Sequence, residues 1–273
     1  MIAVTGYQGK LGLHLVNKYS NCVPLECDVT DLDKVKRAID EVKPESIIHC
    51  AAVTDVDGCE GDLYSRAIEV NIKGTRNVRS AFEGQVIYMS TDYVFDGADG
   101  PYNEEAKPNP LCHYGETKFF GEEEILMADY PTDVIVRTTI LYGNYKPDFV
   151  TSILEKLKTG DMFKVTGALL GSPTYVPHLA EGIAKLLKLK RPPKFLNIAG
   201  KDIISRWVFA CKIAKAFNYP VYNVLLTMIG QTGVANRPRI AGLKTTLAHT
   251  LNIPVFSVDE GLSMLERELS DEA

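Results

Sequence analysis

Two stretches hold the residue types needed to move a proton to or from an alcohol oxygen. They are Ser90-Thr91-Asp92-Tyr93-Val94-Phe95-Asp96-Gly97 and Tyr114-Gly115-Glu116-Thr117-Lys118. The apolar run Val86-Ile87-Tyr88-Met89 predicts a strand that delivers Ser90 and Thr91 at its carboxyl end. Tyr114 and Lys118 are four apart, so on a helix they share a face. A free tyrosine titrates near about 10, and a neighbouring ammonium favours the phenolate and draws the group toward neutrality. Thr91 can hydrogen-bond an oxygen that Tyr114 protonates.

Such a pair needs a hydride carrier beside it, and the chain begins with the elements to hold one. Met1-Ile2-Ala3-Val4-Thr5 reads as a buried strand, and Gly6-Tyr7-Gln8-Gly9-Lys10-Leu11-Gly12 follows at once. Leu11, Leu13, Leu15 and Val16 then give a helix its apolar face. Strand, glycine turn and helix are the context of a dinucleotide fingerprint, here spaced G-x-x-G-x-x-G. The first Gly permits the turn, the middle one admits the pyrophosphate, and the last lets helix and strand pack closely. The helix N-terminus then faces the anion. Lys118 can also reach the nicotinamide ribose. After a short second strand, Val23-Pro24-Leu25, Glu26 and Asp28 are the candidates to meet the adenosine ribose, and Asp28 fits equally well as a loop residue near the adenine.

The alternation continues. A helix through Leu32, Val35, Ala38, Ile39 and Val42 can be capped by Thr30 or Asp31. Ser46 to Ala52 reads as the third strand, followed by a helix from Leu63 through Val78. Asn71 inside that helix fits two readings equally: a solvated polar residue, or a buried amide tying strand four to the helix. Residues 98–110 are rich in turn formers and read as an irregular connection over the mouth of the site. Val134 to Arg137 is the fifth strand. Further strands are expected at Met162–Val165 and Phe195–Ile198, and further helices near 150–157, 179–187, 207–217 (capped by Ser205), 244–251 and 259–269.

The fold expected is α/β: a doubly wound parallel sheet of Rossmann type with a smaller C-terminal substrate lobe. Residues 1–145 would form the dinucleotide-binding domain, with segments from about 162–200 returning to its sheet, and 146–273 mainly the substrate lobe. The 273 residues, 45% hydrophobic and 24% charged, are enough for a sizeable core. The net charge of −5 argues against nucleic acid as a partner, because phosphate backbones call for a basic face. No apolar run approaches the roughly 18 residues of a membrane span. The N-terminus enters a strand with no export signal, so a cytoplasmic location is expected. Six cysteines lack Cys-x-x-Cys or ligand spacing with the five histidines, and read as packed free thiols rather than a metal site.

Taken together, these motifs resemble the extended short-chain dehydrogenase/reductases, and among them the dTDP-4-dehydrorhamnose reductases. The resemblance rests on Gly6-x-x-Gly9-x-x-Gly12, Asp28-Val29-Thr30, Ala51-Ala52-x-Thr54-x-Val56-Asp57, the Ser90 to Gly97 run and Tyr114 to Lys118. Arg137-Thr138, Gly171-Ser172-Pro173-Thr174 and Arg237-Pro238 extend it. The sugar 4,6-dehydratases carry Thr-Asp-Glu where this chain has Thr91-Asp92-Tyr93, which favours simple reduction. The resemblance implies reduction of the 4-keto group of a nucleotide-linked deoxy sugar by NADPH, with NADH possible. It assigns catalysis to Thr91, Tyr114 and Lys118. Gly6, Gln8, Gly9, Lys10, Leu11, Gly12, Asp28, Val29, Ala51, Ala52, Val53 and Ser90 would hold the cofactor with Tyr114 and Lys118. Thr91, Asp92, Ile140 and Arg237 would meet the substrate.

The family pattern breaks on the substrate side. Its Trp is Ile140 here, its Asn-Phe is Asp148-Phe149, and its Arg-Pro-x-Asn-Ser reads Arg237-Pro238-Arg239-Ile240-Ala241. The same family includes the NADP-binding regulatory beta subunit of methionine adenosyltransferase, so a non-catalytic role is the rival reading, with a nucleotide-sugar epimerase behind it. A homodimer is expected through the helix after strand three and the Tyr114–Lys118 helix. Phe119, Phe120, Ile125 and Leu126 are candidates for that face or for the core.

Overall fold

Paired apolar residues on successive strands build the centre of the molecule. Ala3 and Val4, Ile47 and Ile48, and Val86 and Ile87 are each wholly buried. Neighbours on a strand point to opposite faces, so these pairs require helices on both sides of the sheet. The structure is a computed structural model and describes residues 1–228 and 233–271. The chain runs β1 (Ile2–Thr5), α1 (Lys10–Lys18), β2 (Cys22–Pro24), α2 (Leu32–Val42) and β3 (Ser46–His49). Then come α3 (Tyr64–Ala67), a π-helical turn (Ile68–Gly74), α4 (Thr75–Ala81), β4 (Gln85–Thr91), α5 (His113–Met127) and β5 (Val134–Thr138). Beyond them lie β6 (Leu141–Tyr142), α6 (Phe149–Thr159), β7 (Phe163–Thr166), β8 (Leu170–Gly171), β9 (Thr174–Tyr175), α7 (Val176–Leu186) and β10 (Phe195–Asn197). The last elements are β11 (Ile204–Ser205), α8 (Arg206–Ala216), β12 (Val224–Thr227), α9 (Thr246–Thr250) and α10 (Val258–Asp271).

Six parallel strands form the main sheet in the order β10-β5-β4-β3-β1-β2. One face packs on α1 and α7 through Leu11, Leu15, Leu179 and Ile183. The other packs on α2, α4 and α5 through Val35, Ile39, Val78 and Ile125. Each such side chain contributes roughly 1.5–3 kcal/mol on burial. Strand order reverses between β1 and β3, and the crevice at the carboxyl ends there is where open α/β sheets take ligands. Pro24 sits on the edge strand β2, where a missing N–H costs no ladder bond. Asp31, rather than Thr30, caps α2, accepting from the amides of Asp33 and Lys34. Ser205 caps α8, accepting from the Val208 amide.

The later segments differ from the sequence expectation. Of residues 162–200, only Phe195–Asn197 rejoins the main sheet. Phe163–Thr166 instead pairs in parallel with Val224–Thr227, a strand the pattern did not announce. Both contribute to a second core, in which Val165 and Val224 meet Val150, Ile153, Phe209, Ile213 and Leu262 from α6, α8 and α10. The helix expected from Leu63 to Val78 is interrupted by the π turn. Its extra residue turns Asn71 inward, where it is fully buried. Residues 97–102 are stitched to the C-terminal part: the Ile240 amide donates to Gly97, Tyr102 to Gly242, and Lys244 to Tyr102.

Candidate active site

Gly6 ends β1 with φ +60°, and a Cβ there would lie 2.5 Å from the Ala51 nitrogen. Only glycine lets the first turn come this close to the chain leaving β3. A Cβ on Gly12 would meet Tyr7 Cα at 2.5 Å, so α1 packs directly on the turn. The Gly9 amide closes the turn onto the Gly6 carbonyl at 2.9 Å. Gly9 stands at the N-cap of α1 and no side chain caps the helix, which leaves its first N–H groups for an anion.

A cavity of about 490 Å³ opens beside this turn. Of the residues assigned to the cofactor, Gly6, Gln8, Asp28, Val29, Ala51, Ala52 and Val53 line it. Gly9, Lys10, Leu11 and Gly12 lie outside its lining; Leu11 is part of the core. Tyr7, Cys27, Arg66 and Val70 also line it and were not singled out from the sequence: Tyr7 is a variable position of the glycine turn, and the other three lie outside it. Glu26 lines it too, as one of the two acids considered for the ribose. Asp28 Oδ1 accepts from the Thr30 amide at 3.0 Å and hydroxyl at 2.8 Å, with Arg66 Nη2 at 3.7 Å. These bonds, and then the Arg66 charge, hold its carboxyl below the ordinary value. The glycine cradle, the uncapped helix and the cavity together fit a dinucleotide.

Asn71 fixes one wall of this cavity to α5. Its amide accepts from Val53 N at 2.8 Å and donates to Val53 O at 3.1 Å and to Thr117 Oγ1 at 2.9 Å. The buried-amide reading therefore holds, with α5 and the chain after β3 as the partners rather than strand four.

The strand end and the helix bring Thr91, Tyr114 and Lys118 together, each less than a tenth exposed. Thr91 Oγ1 caps a short turn by accepting from the Tyr93 amide at 3.2 Å, and donates to Asp92 at 3.1 Å. Tyr93 stands edge-on to Tyr114 with ring centroids 5.6 Å apart. Lys118 Nζ lies over the Tyr88 ring, 4.1 Å from its centroid. Burial lowers Lys118 to about 7, opposed by the charge of Glu122 one turn along the helix. The expected pull of Lys118 on Tyr114 does not dominate here: burial pushes the phenol above its ordinary value, and the Thr91 hydroxyl acts in the other direction. Burial likewise raises Asp92 to about 6, opposed first by the Thr139 hydroxyl 2.5 Å away and then by Thr91.

Other assigned residues are engaged elsewhere. Ser90, assigned to the cofactor, donates its hydroxyl to Glu122 at 2.5 Å. Glu122 also receives Arg137 at two points, 2.6 and 2.9 Å, in a pair about 1% exposed on either side. Ser90 thus ties β4 to α5 beneath Lys118. Arg237, assigned to the substrate, is paired with Asp57, whose carboxyl it holds down to about 2. Ile140 sits at φ 45°, a strained conformation for a β-branched residue, against Gly171. Of the residues put forward for a dimer face, Ile125 is wholly buried in the core and Phe119 packs near Phe95 and Tyr102, while Phe120 is exposed.

A dinucleotide crevice at the strand-order reversal, with a buried Tyr, Lys and Thr beside it, defines a reductase of the extended short-chain dehydrogenase type. The model of the RmlD substrate binding domain family matches residues 1–268, and the chain belongs to that family. A dTDP-4-dehydrorhamnose reductase from Aggregatibacter actinomycetemcomitans is 32% identical over 90% of both chains. Methionine adenosyltransferase 2 subunit beta of Danio rerio is 29% identical, over 94% of this chain and 86% of that one. Among solved structures, the dTDP-4-dehydrorhamnose reductase of Bacillus anthracis in complex with NADP superposes with a TM-score of 0.92, at 31% identity and 98% coverage of both chains.

Proposed function

We propose that this chain reduces the 4-keto group of a dTDP-linked 6-deoxy sugar with NADPH, NADH also being accepted. The observation that carries this reading is the buried Tyr114, hydrogen-bonded to Thr91, with Lys118 one turn along α5 and next to Cys50, the neighbour of cavity-lining Ala51. A nicotinamide dinucleotide held by the Gly6–Gly12 turn and Lys118 would supply the hydride to the carbonyl carbon. Tyr114 supplies the proton to the carbonyl oxygen, which becomes the alcohol. The Thr91 hydroxyl holds that oxygen and favours the phenolate left on Tyr114. Lys118 orients the ribose and offsets the phenolate charge. The late elements around α6, α8 and α10 form the lobe that holds the sugar nucleotide, with Asp92 and Ile140 at its inner wall.

Tyr114→Phe tests the reading: turnover of NADPH with the keto sugar nucleotide should fall by about 10²–10⁴-fold while NADPH still binds. Retained turnover would remove Tyr114 from the mechanism. The similarity to the Danio rerio subunit gives the rival reading, a regulatory partner; it predicts NADPH binding without wild-type turnover.

We infer further that two copies pair through α4 and α5, where Phe120 is exposed and a 2.6 Å ion pair between Arg76 and Glu124 joins the two helices. Light scattering after size exclusion checks it. The six unpaired thiols suit the reducing cytoplasm, which cell fractionation would test.

A further inference from the structure

The substrate just proposed carries a diphosphate, and this inference rests on that reading. Arg237, the cation assigned to the substrate from sequence, is held at two points by Asp57. Arg66 stands in the dinucleotide cavity beside Asp28. A third guanidinium is differently placed. Arg206 opens α8 and is only partly exposed, yet among the described residues no carboxylate lies within ion-pair distance of it. Its side-chain contact is with Phe149, the guanidinium carbon lying 5.3 Å from the ring centroid. Phe149 in turn stacks on Phe209 at 5.5 Å, so the surface beneath the guanidinium is anchored in the second core.

The backbone places Arg206 at the reaction site. Its amide donates to the Leu169 carbonyl at 3.1 Å, and the preceding β11 pairs with β8, setting Ile204 opposite Gly171. A Cβ on Gly171 would lie 2.6 Å from Ile140 Cδ1. Ile140 directly follows Thr139, whose hydroxyl bonds Asp92. The Arg206 charge is felt at both Asp92 and Tyr93, lowering each against the effect of burial. A partly buried guanidinium with no anion in direct contact is costly, and its planar fork matches phosphate oxygens at two points.

We propose that Arg206 is the cation that receives the diphosphate of the nucleotide sugar, seated on Phe149 within electrostatic reach of Asp92 and in ion-pair contact with no described carboxylate. The two anionic ligands then have separate cations, Arg66 toward the dinucleotide and Arg206 toward the substrate.

Equilibrium titrations of dTDP, thymidine and NADPH into the wild type, Arg206→Ala and Arg206→Lys test this. Arg206→Ala should weaken dTDP by about 10- to 100-fold, the range for a lost charge-assisted contact, with NADPH and thymidine unchanged. Arg206→Lys, which keeps the charge and loses the fork, should fall between. Unchanged NADPH affinity certifies the fold of each variant. Wild-type binding of dTDP that Arg206→Ala leaves intact would overturn the assignment alone. An equal loss of thymidine would overturn it too, by showing a collapsed pocket. A wild type that binds NADPH but no dTDP would overturn the substrate reading along with it.

Discussion

Asp57 and Arg237, 180 positions apart in the chain, meet in a two-point ion pair, with Nη2 2.7 Å from Oδ2 and Nη1 3.1 Å from Oδ1. The same Asp57 carboxylate accepts the amides of Val234 and Ala235 at 2.8 and 2.9 Å. One side chain therefore folds the loop before Arg237 onto the segment that follows β3.

Asp57→Asn should lower stability at neutral pH by about 1 kcal/mol, a modest figure because exposed ion pairs weigh little and the Asp57 side chain is 39% exposed. The Arg237 guanidinium and the loop amides hold the Asp57 carboxyl down to about 2, below the ordinary 3.8. The unfolded chain therefore binds the extra proton in that window. The stabilisation is complete above 3.8 and is lost as pH falls through about 2. Thermal midpoints of the wild type and Asp57→Asn should differ at pH 6 and converge toward pH 2; a constant offset would exclude the ion pair as the cause.

Lys118 should titrate near 7 without cofactor, against an ordinary 10.5. Between those values the unfolded chain binds more protons, so stability falls as pH drops from 10.5 to 7. Lys118→Met should lack this component. Comparing urea unfolding of the two proteins at pH 7 and 10 measures it, and equal slopes with pH would contradict a lowered Lys118.

Glu122→Gln should cost about 3–5 kcal/mol, because it leaves Arg137 charged and buried without its partner. It should also move the Lys118 titration further down, since the Glu122 charge raises it. Denaturant unfolding reads the first effect, and NMR of labelled lysine reads the second.

Asn71→Ala would strand the Val53 amide and carbonyl and remove the donor to the Thr117 hydroxyl, which keeps its own bond to the Tyr114 carbonyl. The expected loss is about 2–4 kcal/mol, for more than one buried polar group left unpaired. NADPH affinity should weaken as well, because Val53 lines the cavity. Calorimetry on the variant checks both, and full NADPH affinity would separate the tie from the cofactor wall.

What the sequence showed was local. The glycine turn, the Tyr114–Lys118 spacing and the apolar runs each declare themselves within a few residues, and so does the Ser205 cap. What it hid depends on residues far apart in the chain. Nothing near Phe163 announces Val224 as its partner strand, and nothing near Arg237 announces Asp57. Ser90 looked available to a cofactor until Glu122 and Arg137 arrived from α5 and β5. Asn71 was undecided because a π turn changes which way a residue faces without changing the composition around it. Arg206 showed no signal because a missing partner has no sequence signature.

The sheet takes its last strand from late in the chain: β10 pairs Phe195 with Ile135 and Asn197 with Arg137. All five residues of β5 are buried. A fragment cut after residue 145 would carry β5 as a bare apolar edge, which is a template for self-association. The two halves are therefore not interchangeable modules. A chimera that grafts a new sugar-binding part onto this dinucleotide part has to bring Phe195–Asn197 back with it.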